Sequence, residues 1–370
     1  MNGLSALVTH VLQPRSERRV LRRLVGASGT AILAGRGARH WGEAVKALHP
    51  GAHLYYPDAR ELGRLDEYCA ARGIRHVDLL TLDAPAAALA GAKSLLEHAR
   101  IDVIACAGAP PLEGLPYRLF RAGARALKPV EAHQARGGRI IAIHERLLPL
   151  VLDLPKTMLD LAALCRAYGI VPRGVVHVGA HEGREWEDYR RMGVSAALFI
   201  EANPAVFARL QAKLGASPGV TLANVAIAAT SGPVTLHVTS SDQSSSILPL
   251  HRHSDYYPTI VETETVVVPG RSLDDLFAEL GLAAERFNLL NIDIQGAELQ
   301  ALSGATGLLA HIEGINVEVN FEELYRGCAQ VEELDALLEA RGFRRVATIC
   351  PFHKSWGDAF YARDRRARPV

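Results

Sequence analysis

Residues 174–203 read GVVHVGAHEGREWEDYRRMGVSAALFIEAN. The order is strand, glycine turn, helix and strand, closed by an acid. Residues 175–178 are a short apolar run with one histidine, which suits a buried strand. Gly179-Ala180-His181-Glu182-Gly183 makes a tight turn. Residues 185–192 are charged on one side, as a surface helix is. Residues 196–200 form a second apolar strand, and Glu201 ends it. Twenty-two positions separate Gly179 from Glu201. That is close to the roughly 20-residue gap that brings an acid to the ribose hydroxyls in a nucleotide-binding βαβ unit.

The glycine pattern narrows the nucleotide. Dinucleotide folds use G-x-G-x-x-G, whose second glycine lets the backbone touch a pyrophosphate. Here that position is His181, and Glu182, Glu185 and Glu187 crowd the helix start. Acids stabilise a helix N-terminus but repel a diphosphate. The pattern therefore disfavours a nicotinamide oxidoreductase. It suits an adenosine ligand without phosphates, of which S-adenosyl-L-methionine (SAM) is the common one. An ordinary βαβ unit with a structural glycine turn is the alternative.

With 370 residues, the chain has room for two or three domains. Hydrophobic residues make up 49% and charged residues 22%, ordinary for a globular protein. A net charge of +1 points to neither nucleic acid nor an anionic membrane. The cysteines, Cys69, Cys106, Cys165, Cys328 and Cys350, are odd in number and lack a C-x-x-C pair. Neither a zinc site nor a disulfide framework follows. The N-terminus turns basic without a long apolar core, so it does not read as a secretory signal. No run of about 18 uncharged apolar residues is present, so no membrane span is expected. A cytoplasmic location is the default.

Residues 1–25 are expected to form a helical arm, broken at Pro14. Residues 26–150 alternate strands and helices as a first, smaller α/β domain. Its landmarks repeat those that follow. LLTLDAPAAALAGAKSLLEHARIDVIAC at 79–106 resembles LLNIDIQGAELQALSGATGLLAHIEGINVE at 289–318, with Asp83 on Asp293. In the same alignment Pro57 falls on Glu201, with Asp58 one position on. The first domain reads as a shortened, degenerate Rossmann-like copy that has lost its ligand chemistry; dimerisation is an alternative role for it. Pro149 and Pro155 mark the joint to a second domain at 151–370. There, Asn203-Pro204 opens a helix, 220–228 is a strand carrying Asn224, and 233–240 and 263–268 alternate as strands. The polar stretch between them is too long for a turn, and such loops are functional or mobile. An apolar strand over 287–292 ends at Asp293, and the strand over 314–319 is interrupted by Glu318. Strands alternating with helices over about 200 residues indicate a doubly wound sheet.

With these residues laid out, 174–362 resembles the FkbM family of SAM-dependent methyltransferases. The signatures are HVGAHEG, FIEANP, LANVAIA, SLDDL, LLNIDIQGAEL, EVNFEELYRGC and HKSWGDAFY, in order over about half the chain. The resemblance implies a class I, Rossmann-like methyltransferase fold. It also implies methyl transfer to an oxygen, on a sugar, a polysaccharide or a glycosylated natural product. Two departures stand out. His177 lies where many such enzymes have Asp, and Gln295 where many read Asp-x-Glu-Gly.

Ligands of a parallel sheet sit at the carboxyl ends of its strands. The donor-binding candidates are Gly179, Ala180, His181 and Gly183 in the turn, Glu201 and Asn203 after the second strand, and Asn224 and Ala226 after the third. Glu201 is expected on the ribose, Asn224 or the backbone at Ala226 on the adenine edge, and Gly179 and Gly183 beside the methionine part. Asp293 either holds the donor's ammonium group or faces the acceptor. An alcohol needs a base as its proton leaves, and the candidates are Asp293, Glu298, Glu318, Asp358 and His353. Each has a structural alternative: His353 as a loop residue, Glu298 as a first-turn helix acid. Trp356 and Tyr325 are candidates for sugar stacking or for core. His181, His251 and His253 read as surface or loop residues. The acids could gather magnesium, but no spacing demands a metal. A small-molecule or saccharide acceptor is the expected partner. The competing reading is a non-catalytic scaffold of two Rossmann-like units.

Overall fold

The computed structural model describes residues 15–25, 29–35, 37–83, 85–98, 100–122, 126–132, 139–152 and 157–364. The expected arm falls partly outside them; within them Arg15–Leu24 is a helix. The chain divides into two compact units, Met1–Lys156 with Cys350–Lys354, and Thr157–Ile349 with Ser355–Val370. Among the described residues no helix is long and apolar enough to cross a membrane, and no disulfide links the five buried cysteines.

The first unit is built on seven strands: β1 (Thr30–Leu33), β2 (His53–Tyr55), β3 (Val77–Leu82), β4 (Ile101–Ala107), β5 (Tyr117–Ala122), β6 (Leu127–Pro129) and β7 (Arg139–His144). Their order is β2-β1-β3-β4-β7-β5-β6, with β1 to β4 parallel and β7 antiparallel to β4. The sequence pattern did not reveal β5 and β6. Tyr117–Ala122 carries two arginines in a buried–exposed sequence that never alternates cleanly. Beneath this sheet lies a buried charge cluster. Arg146 is ion-paired with Asp102, whose Oδ1 also lies 3.0 Å from His76 Nε2, and Lys354 is ion-paired with Asp78. Burial opposes the charge on Asp102, but His76 and Arg146 outweigh it and hold the carboxyl below its ordinary range.

The second unit carries β8 (Gly174–Val178), β9 (Ala196–Ile200), β10 (Val220–Ala223), β11 (Ala226–Ile227), β12 (Gly232–Thr239), β13 (Glu262–Arg271), β14 (Leu289–Ile292), β15 (Gly314–Asn320), β16 (Phe343–Ile349) and β17 (Trp356–Arg363). Seven of them form one sheet in the order β10-β9-β8-β14-β15-β17-β16. Numbered within that sheet the order is 3-2-1-4-5-7-6, and only its last strand, β17, runs against its neighbours. This is the doubly wound sheet of class I methyltransferases. β8 and β9 are buried along their whole length, which is why both read as continuous apolar runs. One face packs Val176, Val178, Ile292, Val317 and Tyr361 against Leu302 and Leu334 of the covering helices. The other packs Val175, Phe199 and Phe360 against Trp186 and Tyr189. The strand expected over 220–228 is two strands. β10 stays in the main sheet, while β11 leaves it for a small sheet with β13 and β12.

The two large sheets share a strand order: β2-β1-β3-β4-β7 follows β9-β8-β14-β15-β17, with the last strand reversed in both. Gly35 and Gly179, at φ +90° and +80°, occupy the same turn. Extending the strand registers places Asp58 and Asp83 beside Gly35 as Glu201 and Asp293 are beside Gly179. The register thus aligns Asp58, not Pro57, with Glu201.

Candidate active site

The site lies where β8, β9 and β14 end. Gly179 turns the chain at a φ that favours glycine, and a side chain there would run into the carbonyl oxygen of Asp293. Its N–H and that of Ala180 both donate to Ile200 O at 2.9 Å. His181 follows at φ +48°, a conformation uncommon for a residue with a side chain. Two bonds hold it there. Its N–H donates to Glu201 Oε2 at 2.9 Å, and its Nε2 lies 3.1 Å from Asp242 Oδ1. Gly183 lies against the helix Pro204–Leu214. A side chain at that position would meet Leu214 and Leu210, so it serves the packing of that helix.

Glu201 is half-buried, and its other oxygen, Oε1, accepts from Asn203 N–H at 2.8 Å. Burial pushes its carboxyl up, and the two amide donors pull the other way. Each oxygen has taken one donor. A carboxylate offers about four acceptor positions, so two remain for a pair of ribose hydroxyls. Asn203 itself caps the helix Pro204–Leu214 through Oδ1, 3.0 Å from Ala205 N, which commits its side chain to structure. Asn224 Nδ2 donates to Glu201 O at 2.8 Å, and Ala226 is paired with Gly270 in the small sheet. Those two fix the backbone around Glu201.

Four acids gather at the ends of β14, β15 and β17. Asp293 is exposed, while Glu298, Glu318 and Asp358 are buried. Burial pushes Glu298 up to about 7 and Asp358 up to about 8, with the charge of Asp293 adding to both. Glu318 is pushed well above the carboxylate range by burial, then by Asp293 and Glu298. Glu298 Oε1 accepts from Ile294 N and Gly296 N at 3.1 Å each, which makes it the clasp of its own loop. Gln295 joins the acids directly: Nε2 donates to Asp293 Oδ1 at 2.7 Å and to Glu318 Oε2 at 2.6 Å. From sequence it was only a departure from the family pattern. The four acids do not form a metal-ligand set; among the described residues only His76, Asp78 and Asp102 have ligand atoms so close together, and their cations already answer them. His353 lies in the segment Cys350–Lys354 that belongs to the first unit.

The loop between β12 and β13 ties both sides of the site. Asp242 reaches His181 and Arg209, while Ser246 Oγ donates to Gln295 O at 2.8 Å. Farther along, His253 is buried against Tyr257 and Tyr325 and is not the surface residue expected. Tyr325 is core and also donates to Gln295 Oε1 at 2.6 Å. Trp356 packs with Tyr325 and donates Nε1–H to Tyr257 OH at 3.1 Å. Below the acids, His177 Nε2 accepts from Asn291 Nδ2 at 3.0 Å, and burial lowers its basicity. The histidine found in place of an acid is thus a neutral member of a buried network.

Residues 177–345 match the model of the methyltransferase FkbM domain. The 2-O-methyltransferase NoeI of Sinorhizobium fredii (strain NBRC 101917 / NGR234) is 25% identical over 201 residues, which cover 51% of this chain and 82% of that protein. Among solved structures, magnesium protoporphyrin IX methyltransferase from Synechocystis PCC 6803, with bound SAM, aligns at TM-score 0.31 and 10% identity. That alignment covers 55% of this chain and 77% of that one. The 1,6-didemethyltoxoflavin-N1-methyltransferase of Burkholderia thailandensis aligns at 0.30 and 12%, covering 55% and 76%. Such low scores carry no weight, and the fold rests on the strand order. The turn at Gly179 and the acid beside it, Glu201, whose two oxygens each accept one amide, suit a sulfonium nucleoside, and with the match over residues 177–345 the chain is a SAM-dependent methyltransferase carrying an FkbM domain.

Proposed function

We propose that this enzyme methylates a hydroxyl group, on a sugar, a polysaccharide or a glycosylated small molecule. The observation that carries this reading is Asp293, the exposed member of a group of four acids whose other three are buried. NoeI, by its name a 2-O-methyltransferase, supports oxygen as the acceptor atom.

Bound SAM supplies an electrophilic methyl group on a charged sulfur. Glu201 accepts hydrogen bonds from the ribose and fixes the donor's long axis, and the bend at Gly179–His181 carries its amino-acid end. Displacement at a methyl group is in line, so this fixing of direction contributes much of the rate. Asp293 takes the hydroxyl proton as the new C–O bond forms and the methyl–sulfur bond breaks, the electron pair staying on the sulfur of the departing S-adenosylhomocysteine. Its exposure lets the proton pass on to water. Glu298 keeps the loop 293–298 in shape, and Glu318 and Asp358 stay neutral beside the anion. The first unit reads as a shortened copy without donor binding. Asp58 there caps its own helix through Oδ1, and the Asp83 carboxyl packs against Gly35.

The test is methyl transfer from labelled SAM to a panel of methyl glycosides, oligosaccharides and simple alcohols, with the product located by mass spectrometry. Label on a saccharide oxygen is expected. Transfer confined to nitrogen or carbon acceptors contradicts the reading.

A further inference from the structure

Gln295 is held in a backbone conformation that its side chain exploits. Its φ is +57°, in the left-handed region that residues with a side chain seldom occupy. Ser246 Oγ donates to its carbonyl at 2.8 Å, and Glu298 takes the amides of Ile294 and Gly296 on either side. So fixed, the side chain sends its nitrogen to Asp293 and Glu318, at 2.7 and 2.6 Å, and its oxygen to the Tyr325 hydroxyl at 2.6 Å. As placed, the amide nitrogen faces two carboxyl groups and its oxygen faces a hydroxyl that donates to it.

We propose that Gln295 is a positioning residue for methyl transfer, its two amide protons tying Asp293 and Glu318 into one rigid pair with Asp293 turned to the acceptor. This rests on Asp293 as the group that takes the acceptor's proton. The chemistry favours an amide over an acid at this position. A glutamine carries two protons to donate at every pH, whereas a glutamate donates one at most, and only while protonated. Glu318, kept neutral by burial, accepts from Gln295 through its carbonyl oxygen and donates its own O–H to Asp293. Three side chains then close a ring around a single acidic proton, with Asp293 its exposed member.

Two readouts on the full chain test this, with S-adenosylhomocysteine affinity confirming that each variant is folded. The first needs no acceptor. Infrared spectra of the S-adenosylhomocysteine complex with carboxyl-labelled glutamate are recorded, and Glu318→Gln identifies the band of the neutral Glu318. In Gln295→Leu that band is expected to move to higher frequency, as a carbonyl does on losing a donor. The second is turnover with the methyl glycosides. Gln295→Leu is expected to lower kcat about 10- to 100-fold with product affinity kept. Gln295→Glu retains turnover at acidic pH and loses it as the new carboxyl ionises, at a lower pH than any alkaline loss of the native enzyme. An unmoved band, or a Gln295→Glu profile superposing on the native one, overturns the proposal. A moved band in a native enzyme that methylates no hydroxyl upholds the bridge and removes the oxygen-transfer reading instead.

Discussion

The backbone N–H of His181 donates to Glu201 Oε2 at 2.9 Å, across the bend that joins β8 to its helix. The bond exists because His181 accepts φ +48°, and its ring contact with Asp242 holds it there. A β-branched side chain pays heavily for that conformation, on the order of 1–3 kcal/mol, whereas glycine adopts it freely. His181→Val is therefore expected to weaken SAM binding about tenfold, since 1.4 kcal/mol is tenfold in affinity, and His181→Gly by about threefold or less. Calorimetric titration of both variants decides. Equal losses would show that the imidazole matters and the backbone does not.

Glu298 distinguishes a structural acid from a catalytic one. Its Oε1 serves two amide donors, and its side chain is 1% exposed. Glu298→Ala leaves the buried Gly296 N–H and the half-buried Ile294 N–H unmatched, at up to about 1–3 kcal/mol each, and a clear drop in Tm is expected. Glu298→Gln keeps an acceptor oxygen, so turnover should stay near native. Loss of turnover in a well-folded Glu298→Gln would make this residue the base.

Asp358 sets a pH dependence of stability. Its carboxyl is pushed up to about 8 by burial, from an ordinary value of 3.8. The native protein therefore holds this proton more tightly than the unfolded chain. The associated stability is complete below the unfolded value and is lost as pH rises toward 8, at up to about 1.4 kcal/mol per pH unit. Asp358→Asn removes that loss. Denaturant melts should show the variant gaining on the native protein between pH 5 and 8, and parallel curves would contradict the assignment.

In the first unit, Arg146 and Asp102 are both fully buried and paired. Removing one partner of such a pair typically costs about 3–5 kcal/mol, because the other charge is left in the interior. Arg146→Met should destabilise by that order, and adding Asp102→Asn should recover much of it. Chemical denaturation of the single and double variants reads both effects. A double variant no better than Arg146→Met would place the cost in packing and not in charge.

How much of this was legible in the sequence depends on how local each interaction is. The Gly179 turn and Glu201 could be read because strand ends and spacing determine both. The repeat of the first unit was legible at Asp83 and Asp293 but slipped by one at Asp58, since short β2 gives an alignment little to hold. Asn203 and Gly183 are donor candidates by position, and the fold adds what spacing does not show, a helix cap at one and a close helix contact at the other. Gln295 was noticed only as an exception. Its partners Glu318 and Tyr325 lie 23 and 30 positions away, and its backbone angle leaves no trace in composition.

The most direct measurement is calorimetric titration of SAM and S-adenosylhomocysteine into the native protein and into Glu201→Ala. One site per chain is expected in the native protein. Two lost hydrogen bonds, at about 0.5–1.5 kcal/mol each, should weaken Glu201→Ala at least about fivefold, with its fold intact. Native affinity in Glu201→Ala, or no binding to the native protein, would contradict a donor gripped by its ribose at Glu201.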